Sequence, residues 1–200
     1  MAIKFQYNKT SLQQLEKSLK VRVKALPTIK NKESALRLEV KKAKNEAKRL
    51  DQEFERMIRE NEEIMVLYGE YNADLLEVVD VKVSAKKIAG VPTPVFEGVE
   101  FNIKPYSLFN NPAWLPEGIE MVRQIASIGL EREIFVRKTE LLEYARKKTT
   151  QKVNLFEKVH IPGYQDAIRK IKRFMEDEEN LSKAAQKIVK ARQETKEDAA

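Results

Sequence analysis

The 200-residue chain contains no cysteine, so it has no disulfide framework and no thiolate chemistry, a composition that suits the cytosol. It has one histidine, His160. That excludes an ordinary histidine-based metal cluster, and His160 reads as a satisfied helix residue rather than a catalyst. Neither a G-x-x-x-x-G-K-[ST] nor a G-x-G-x-x-G loop is present to cradle a phosphate, and no base stands poised beside a serine nucleophile. No apolar run approaches the roughly 18 residues of a membrane span, and Met1–Asn8 is too short and polar for a signal peptide. These absences argue against a catalytic chain, against a bound cofactor or metal, and against insertion into a bilayer.

What the chain has is charge. Charged residues make up 34% of it, and the mean hydropathy of −0.55 favours an elongated form, because a thin rod has more surface to cover than a sphere. The net charge of +7 is unevenly placed: residues 1–50 carry 14 Lys/Arg against Glu16, Glu33, Glu39 and Glu46, whereas 51–75 is acidic. A basic half is compatible with nucleic-acid binding. It is equally what a solvated coiled-coil flank looks like. The lysines are scattered around the helix with no stacking aromatics among them, so nucleic acid is not the expected partner.

The dominant pattern is a heptad stripe from Leu12 to Val78, through Leu15, Leu19, Leu36, Val40, Leu50, Phe54, Ile64, Tyr68, Tyr71 and Leu75. Only Arg22, Glu33 and Asn61 interrupt it. A sustained period of 3.5 implies a left-handed coiled coil, and one helix of that length, about 100 Å, must find a partner to bury its seam. Asn8 or Thr10 is the expected cap. Pro27 predicts a kink, since the heptad frame holds on both sides of it. Asn61 either fixes register from a core position or simply reaches solvent.

After Val78 the period changes. Val79, Val81 and Val83 alternate with polar residues, Gly90, Pro92 and Pro94 mark a turn, and Val95–Ile103 resumes a strand-like composition, which predicts a β-hairpin. Residues 106–116 are aperiodic and aromatic, with Trp114 as the expected anchor of this lobe. From Pro116 a second long helix carries Met121, Ile125, Ile128, Phe135, Leu142, Val153 and Phe156, and past Pro162 the stripe resumes at Tyr164, Ile168, Ile171 and Met175. Leu181, Ala185 and Ile188 extend it out of strict frame, which would locally overwind the pair. A second stripe on the same helix, Leu130, Ile134, Leu141, Leu155 and Val159, makes the apolar face wider than a two-stranded seam requires. It serves either packing beneath the hairpin or docking of another subunit.

The expected fold is therefore all-α dominated. Residues 1–78 and 118–200 form a long antiparallel two-helix coiled coil, and 79–117 form a small β-hairpin lobe at the connecting end. Folding back at 79–117 pairs Val40 with Phe156 and Leu19 with position 177, and brings both chain ends to one tip. The predicted core is Leu12, Leu15, Leu19, Leu36, Val40, Leu50, Phe54, Asn61, Ile64, Phe135, Leu142, Val153, Phe156, Ile168 and Ile171.

Several segments resemble one family. Asn8-Lys9-Thr10-Ser11-Leu12 and Lys30-Asn31-Lys32-Glu33-Ser34-Ala35-Leu36 are similar to the T-x-x-L start and L-L-K-x-K-R-x-A-L motif of the D subunit of V-type and A-type ATPases/ATP synthases. Lys152-Val153-Asn154-Leu155-Phe156-Glu157 with Ile161-Pro162, Ile168, Ile171 and Glu178 resembles that family's R-V-N-A-L-E…I-P…I-x-x-I…E pattern. Ile88-Ala89-Gly90-Val91-Pro92 resembles its small-Gly-Val hairpin segment. Glu33 replaces the usual Arg, and Pro27 falls where the family continues an unbroken helix.

The resemblance implies a non-catalytic central-stalk axle. It would turn inside a hexamer of catalytic and non-catalytic subunits, hold a small F subunit, and rest on a funnel-like subunit above the membrane rotor ring. Its place would be the cytoplasmic face of the membrane, coupling ATP to proton or sodium transport. From composition and periodicity alone, a basic coiled-coil nucleic-acid-binding protein and a homo-oligomeric scaffold rod are the alternatives.

Overall fold

The structure is a computed structural model that describes residues 3–62 and 73–197. Helix α1 spans Lys9–Glu60, strand β1 Leu76–Ile88, strand β2 Val91–Ile103, helix α2 Leu115–Leu155 and helix α3 Ile161–Glu197, with a π-helical segment, Phe156–His160, between α2 and α3. The fold is mostly helical, with one two-stranded antiparallel sheet between a long N-terminal and a long C-terminal helical stretch. The chain divides into two compact units: 1–31 with 149–200, and 32–148.

Asn8 caps α1, its Oδ1 accepting a hydrogen bond of 2.7 Å from the Ser11 amide. Pro27 lies inside the helix, which is α-helical on both sides of it. The described helix closes at Glu60, where the Asn61 side-chain amide donates to the Met57 carbonyl at 2.7 Å and satisfies one of the last free acceptors. The heptad stripe does not continue as helix to Val78. Leu75 ends a 3-10 turn, and Val78 lies in β1 and is 46% exposed. Ile64, Tyr68 and Tyr71, expected on the same stripe, lie outside the described residues.

In the first unit Leu15, Ala167, Ile168 and Ile171 form the core, with Leu12, Leu19, Tyr164 and Met175 packed against it. The extended residues before α1 join this core through Ile3 and Phe5, and Tyr7 meets Phe174 with ring centroids 4.9 Å apart. A Cβ on Gly163 would come within 3.0 Å of Ile3 Cδ1, so this position accepts only the smallest residue without a shift. The ion pairs Glu16–Lys172, at 3.0 Å, and Lys30–Glu157, at 2.8 Å, fix an antiparallel pairing of α1 with α3 and the π segment.

In the second unit Leu36, Val40, Ala43 and Leu142 are buried together. Lys44–Glu143, at 2.5 Å, and Asp51–Arg132, at 2.6 Å, make α1 antiparallel to α2 here as well. Phe54 packs over Gly129, where an added Cβ would sit 3.3 Å from Cε2.

The register differs from the expected one. Val40 packs with Leu142 and Ala145, not Phe156. The partners lie 11 to 14 residues before the expected one, about three to four helical turns. Within the first unit, the Glu16–Lys172 pair leaves α1, which begins at Lys9, no residue to place opposite Leu181, Ala185 and Ile188. Every residue from Glu176 to Gln193 is exposed, Leu181 by 72%.

The hairpin joins Ile88 to Val91 through Ala89 and Gly90, both at positive φ (49° and 78°). That is the turn whose twist matches the right-handed twist of paired strands. Register shifts between Val78 and Asp80 and between Lys82 and Val83 interrupt the ladder, and each strand is 13 residues long. Its tip is not free. Ile88, Ala89 and Val91 pack against the Leu36–Val40–Ala43–Leu142 cluster. Buried Thr93 satisfies its hydroxyl by donating to the Lys86 carbonyl across the ladder, at 2.8 Å. The valine alternation that marks β1 does not bury one clean face: Val79 is 61% and Val83 47% exposed.

Candidate docking surfaces

The predicted core positions fall as follows. Leu15, Leu36, Val40, Leu50, Leu142, Ile168 and Ile171 are buried, and Leu12, Leu19, Phe54, Asn61, Phe135, Val153 and Phe156 are half-buried. The second stripe does not lie within one unit. Leu130, Ile134 and Leu141 belong to the second and are half-buried, whereas Leu155, 40% exposed, and Val159 belong to the first. On α2, Leu130, Ile134 and Leu141 share a helical face beside the seam that Phe135 and Leu142 occupy, so they flank the buried interface rather than fill it.

Electrostatics on the described surface is local. Lys44 donates to Glu143 and holds its carboxyl below the usual carboxylate range; Lys183 does the same to Glu179. Glu100 accepts from Lys82 and raises the lysine above its ordinary value. All of these are solvated pairs, screened by water and salt, and contribute little to stability. Among the described residues no three His, Cys, Asp or Glu side chains are grouped so as to hold a metal ion, and no helix is long and apolar enough to cross a membrane.

The sequence reading passed over one constellation. Arg22, counted as a break in the heptad stripe, sits at the level of the π segment. Its Nε donates to His160 Nδ1 at 3.4 Å and its Nη1 to the Ser18 carbonyl at 3.1 Å. The guanidinium carbon lies 4.6 Å from the Tyr164 ring centroid and 6.0 Å from that of Phe156. A signal was available: Phe156, His160, Tyr164 and Ile168 follow one another in three steps of four, where a heptad alternates three and four. One surplus residue in a seam is what a single π turn absorbs.

A family model described as that of the ATP synthase D subunit matches residues 11–191, which takes in both long helical stretches, the hairpin and the Arg22 constellation. The chain belongs to the ATP synthase D subunit family. Among relatives, it is similar to the D subunit of the V-type ATP synthase of Borreliella burgdorferi, with 30% identity over 191 residues and 94% of each chain covered. It is similar also to the subunits of the same name from Chlamydia abortus, 28% identical, and Chlamydia caviae, 29% identical. In both cases 86% of this chain and 87% of the relative are covered. Family membership therefore extends over nearly the full length and does not rest on a shared coiled-coil segment.

Proposed function

We propose that this protein is the central-stalk axle of a V-type rotary ATPase, carrying torque between a nucleotide-hydrolysing hexamer and a membrane rotor ring during ATP-coupled proton or sodium transport. The observation that carries the proposal is family membership over residues 11–191, joined to an antiparallel pairing of long helices in each unit. The chain itself is non-catalytic in this reading. ATP is hydrolysed by the catalytic subunits of the hexamer, ions pass through the ring, and the axle is peripheral to the membrane at its cytoplasmic face.

Its partners are the catalytic and non-catalytic subunits of the hexamer, the small F subunit, and a funnel-like subunit above the ring. Leu130, Ile134 and Leu141 supply the docking face for the small subunit, because they are apolar, half-buried and beside the helix seam. Leu155 and Val159 extend the partner-binding surface on the first unit. Affinity purification of the tagged full chain tests the assignment. Recovery of a nucleotide-hydrolysing hexamer and a small stalk subunit supports it. Recovery of the chain alone, or of nucleic acid released with a steep dependence on salt, overturns it.

A further inference from the structure

Two backbone defects of different kinds lie face to face in the first unit. On α1, Pro27 has no amide proton to donate to the Val23 carbonyl, and both residues are exposed to water. On the opposite helix a π turn replaces the regular ladder. The Ile161 amide donates to the Phe156 carbonyl five residues back, while Leu155 (φ −62°, ψ −44°) and Ile161 (φ −61°, ψ −52°) remain α-helical. Pro162 then removes another donor, and Gly163, the poorest helix former after proline, follows it. The contacts Arg22–His160 and Lys30–Glu157 bracket Pro27 on one helix and fall within the π turn on the other, which puts both defects at one level.

Packing is thinnest around the same level. On α1 no residue from Glu16 to Ala35 is buried, and on the facing stretch none from Glu143 to Asp166. What holds the helices together here is largely polar. Lys30 and Glu157 are each 46% exposed, and the Arg22 guanidinium lies 4.6 Å from the Tyr164 ring centroid and 6.0 Å from that of Phe156. A cation over ring faces keeps its attraction over a range of positions within about 6 Å of the centroid, whereas interdigitated apolar side chains resist sliding. Arg22 is also tied to its own helix through the Ser18 carbonyl. An interrupted hydrogen-bond ladder with few buried apolar contacts marks a segment that opens at low free energy.

We infer that this level is a flexible joint of the helical pair: Pro27 and the Phe156–His160 π turn yield together, and Arg22 keeps the two helices in contact while they do. The register does not change, because Leu15 stays packed on Ala167, Ile168 and Ile171. In the axle reading, on which this role rests, the joint is a compliant element of the shaft that takes up bending and twist when its ends are loaded unequally. The joint itself is a property of the free chain, so its test succeeds or fails independently of the axle assignment.

Amide hydrogen exchange and pulsed dipolar spectroscopy on the full, cysteine-free chain test it. Pro27→Ala restores a donor on α1 alone. If the two defects open as one, it slows exchange about fivefold at Lys24–Leu26 and also across the pair at Val159–Ile161, with a smaller change at Ile171. Spin labels on Lys152→Cys and Arg169→Cys, both exposed, straddle the π turn. Their distance distribution is expected to be clearly wider than that of labels on Glu120→Cys and Arg137→Cys, exposed positions with the same spacing of about 25 Å along the regular helix α2. Deleting Lys158 in the Pro27→Ala background closes both ladders and brings the two widths together. Slowed exchange confined to α1 means two independent defects and overturns the inference. So do equal widths in the otherwise unaltered chain, or an excess width that survives the deletion. Should the deletion variant fail to fold, the response of Val159–Ile161 to Pro27→Ala decides.

Discussion

Replacing Leu142 by alanine removes a side chain with no exposed surface, packed among Leu36, Val40 and Ala43 with the hairpin tip at its edge. Truncating a buried leucine loses the transfer free energy of the removed carbons and leaves a cavity that neighbours fill only in part. Here the walls are two helices and a hairpin turn, so relaxation is incomplete and the expected loss is about 3 kcal/mol. For a chain of this size that lowers the melting temperature by about 6–12 °C. The adjacent residue is an internal control. Leu141 is half-buried on the flanking face, and Leu141→Ala is expected to cost about 1 kcal/mol. Thermal and urea unfolding followed by helical circular dichroism reads both variants. The assay also separates core from interface: Leu142→Ala lowers stability, whereas Leu141→Ala lowers affinity for the small stalk subunit. Equal destabilisation by the two, or a larger loss for Leu141→Ala, would refute the placement of the seam.

Three further outcomes are expected. Ile134→Glu puts a carboxylate on the proposed docking face at a cost of several kcal/mol when buried unpaired, so binding of the small subunit falls by orders of magnitude while helicity is retained; calorimetric titration measures it. Val40→Cys with Ala145→Cys oxidises to an intramolecular disulfide at low protein concentration, whereas Val40→Cys with Phe156→Cys does not, as gel mobility with and without reductant will show. Lys44→Gln removes the partner that holds the Glu143 carboxyl below its usual range. A depressed acid stabilises the fold above its unfolded value and loses that contribution as pH falls through its folded value. The difference between wild type and Lys44→Gln in urea unfolding is therefore below about 1 kcal/mol near neutrality and shrinks toward zero on acidification.

Legibility differed from element to element. The stripe from Leu12 to Phe54 was readable because helical facing is a local consequence of spacing, and the buried residues Leu15, Leu36, Val40 and Leu50 all lie on it. The hairpin was readable from the change of period at Val79 and from Gly90, which sits at φ 78° in the turn. The end of the first helix was misread, since Leu75 and Val78 keep the heptad spacing but belong to a 3-10 turn and a strand. Spacing reports which residues would share a face if helical. It does not report where the helix stops. Arg22 was read as an interruption because its partners Phe156, His160 and Tyr164 are more than 130 positions away in the chain, and no local pattern announces such a contact.

Residue order by itself determined the apolar faces and most of the secondary structure, because both depend on neighbours within a turn or two. It determined the surplus residue between Phe156 and Ile168 for the same reason. Tertiary structure alone decided the register that sets Val40 beside Leu142 and Ala145, and the exposure of Glu176–Gln193. Two repeating apolar seams can slide past one another by whole heptads with little change in buried area. The choice therefore falls to features that occur once: the hairpin tip laid on Leu36 and Val40, the fit of Phe54 over Gly129, the ion pairs Lys44–Glu143 and Glu16–Lys172, and the clasp of Arg22 on the π turn. Each joins residues far apart in the chain, and only in the folded chain do they meet.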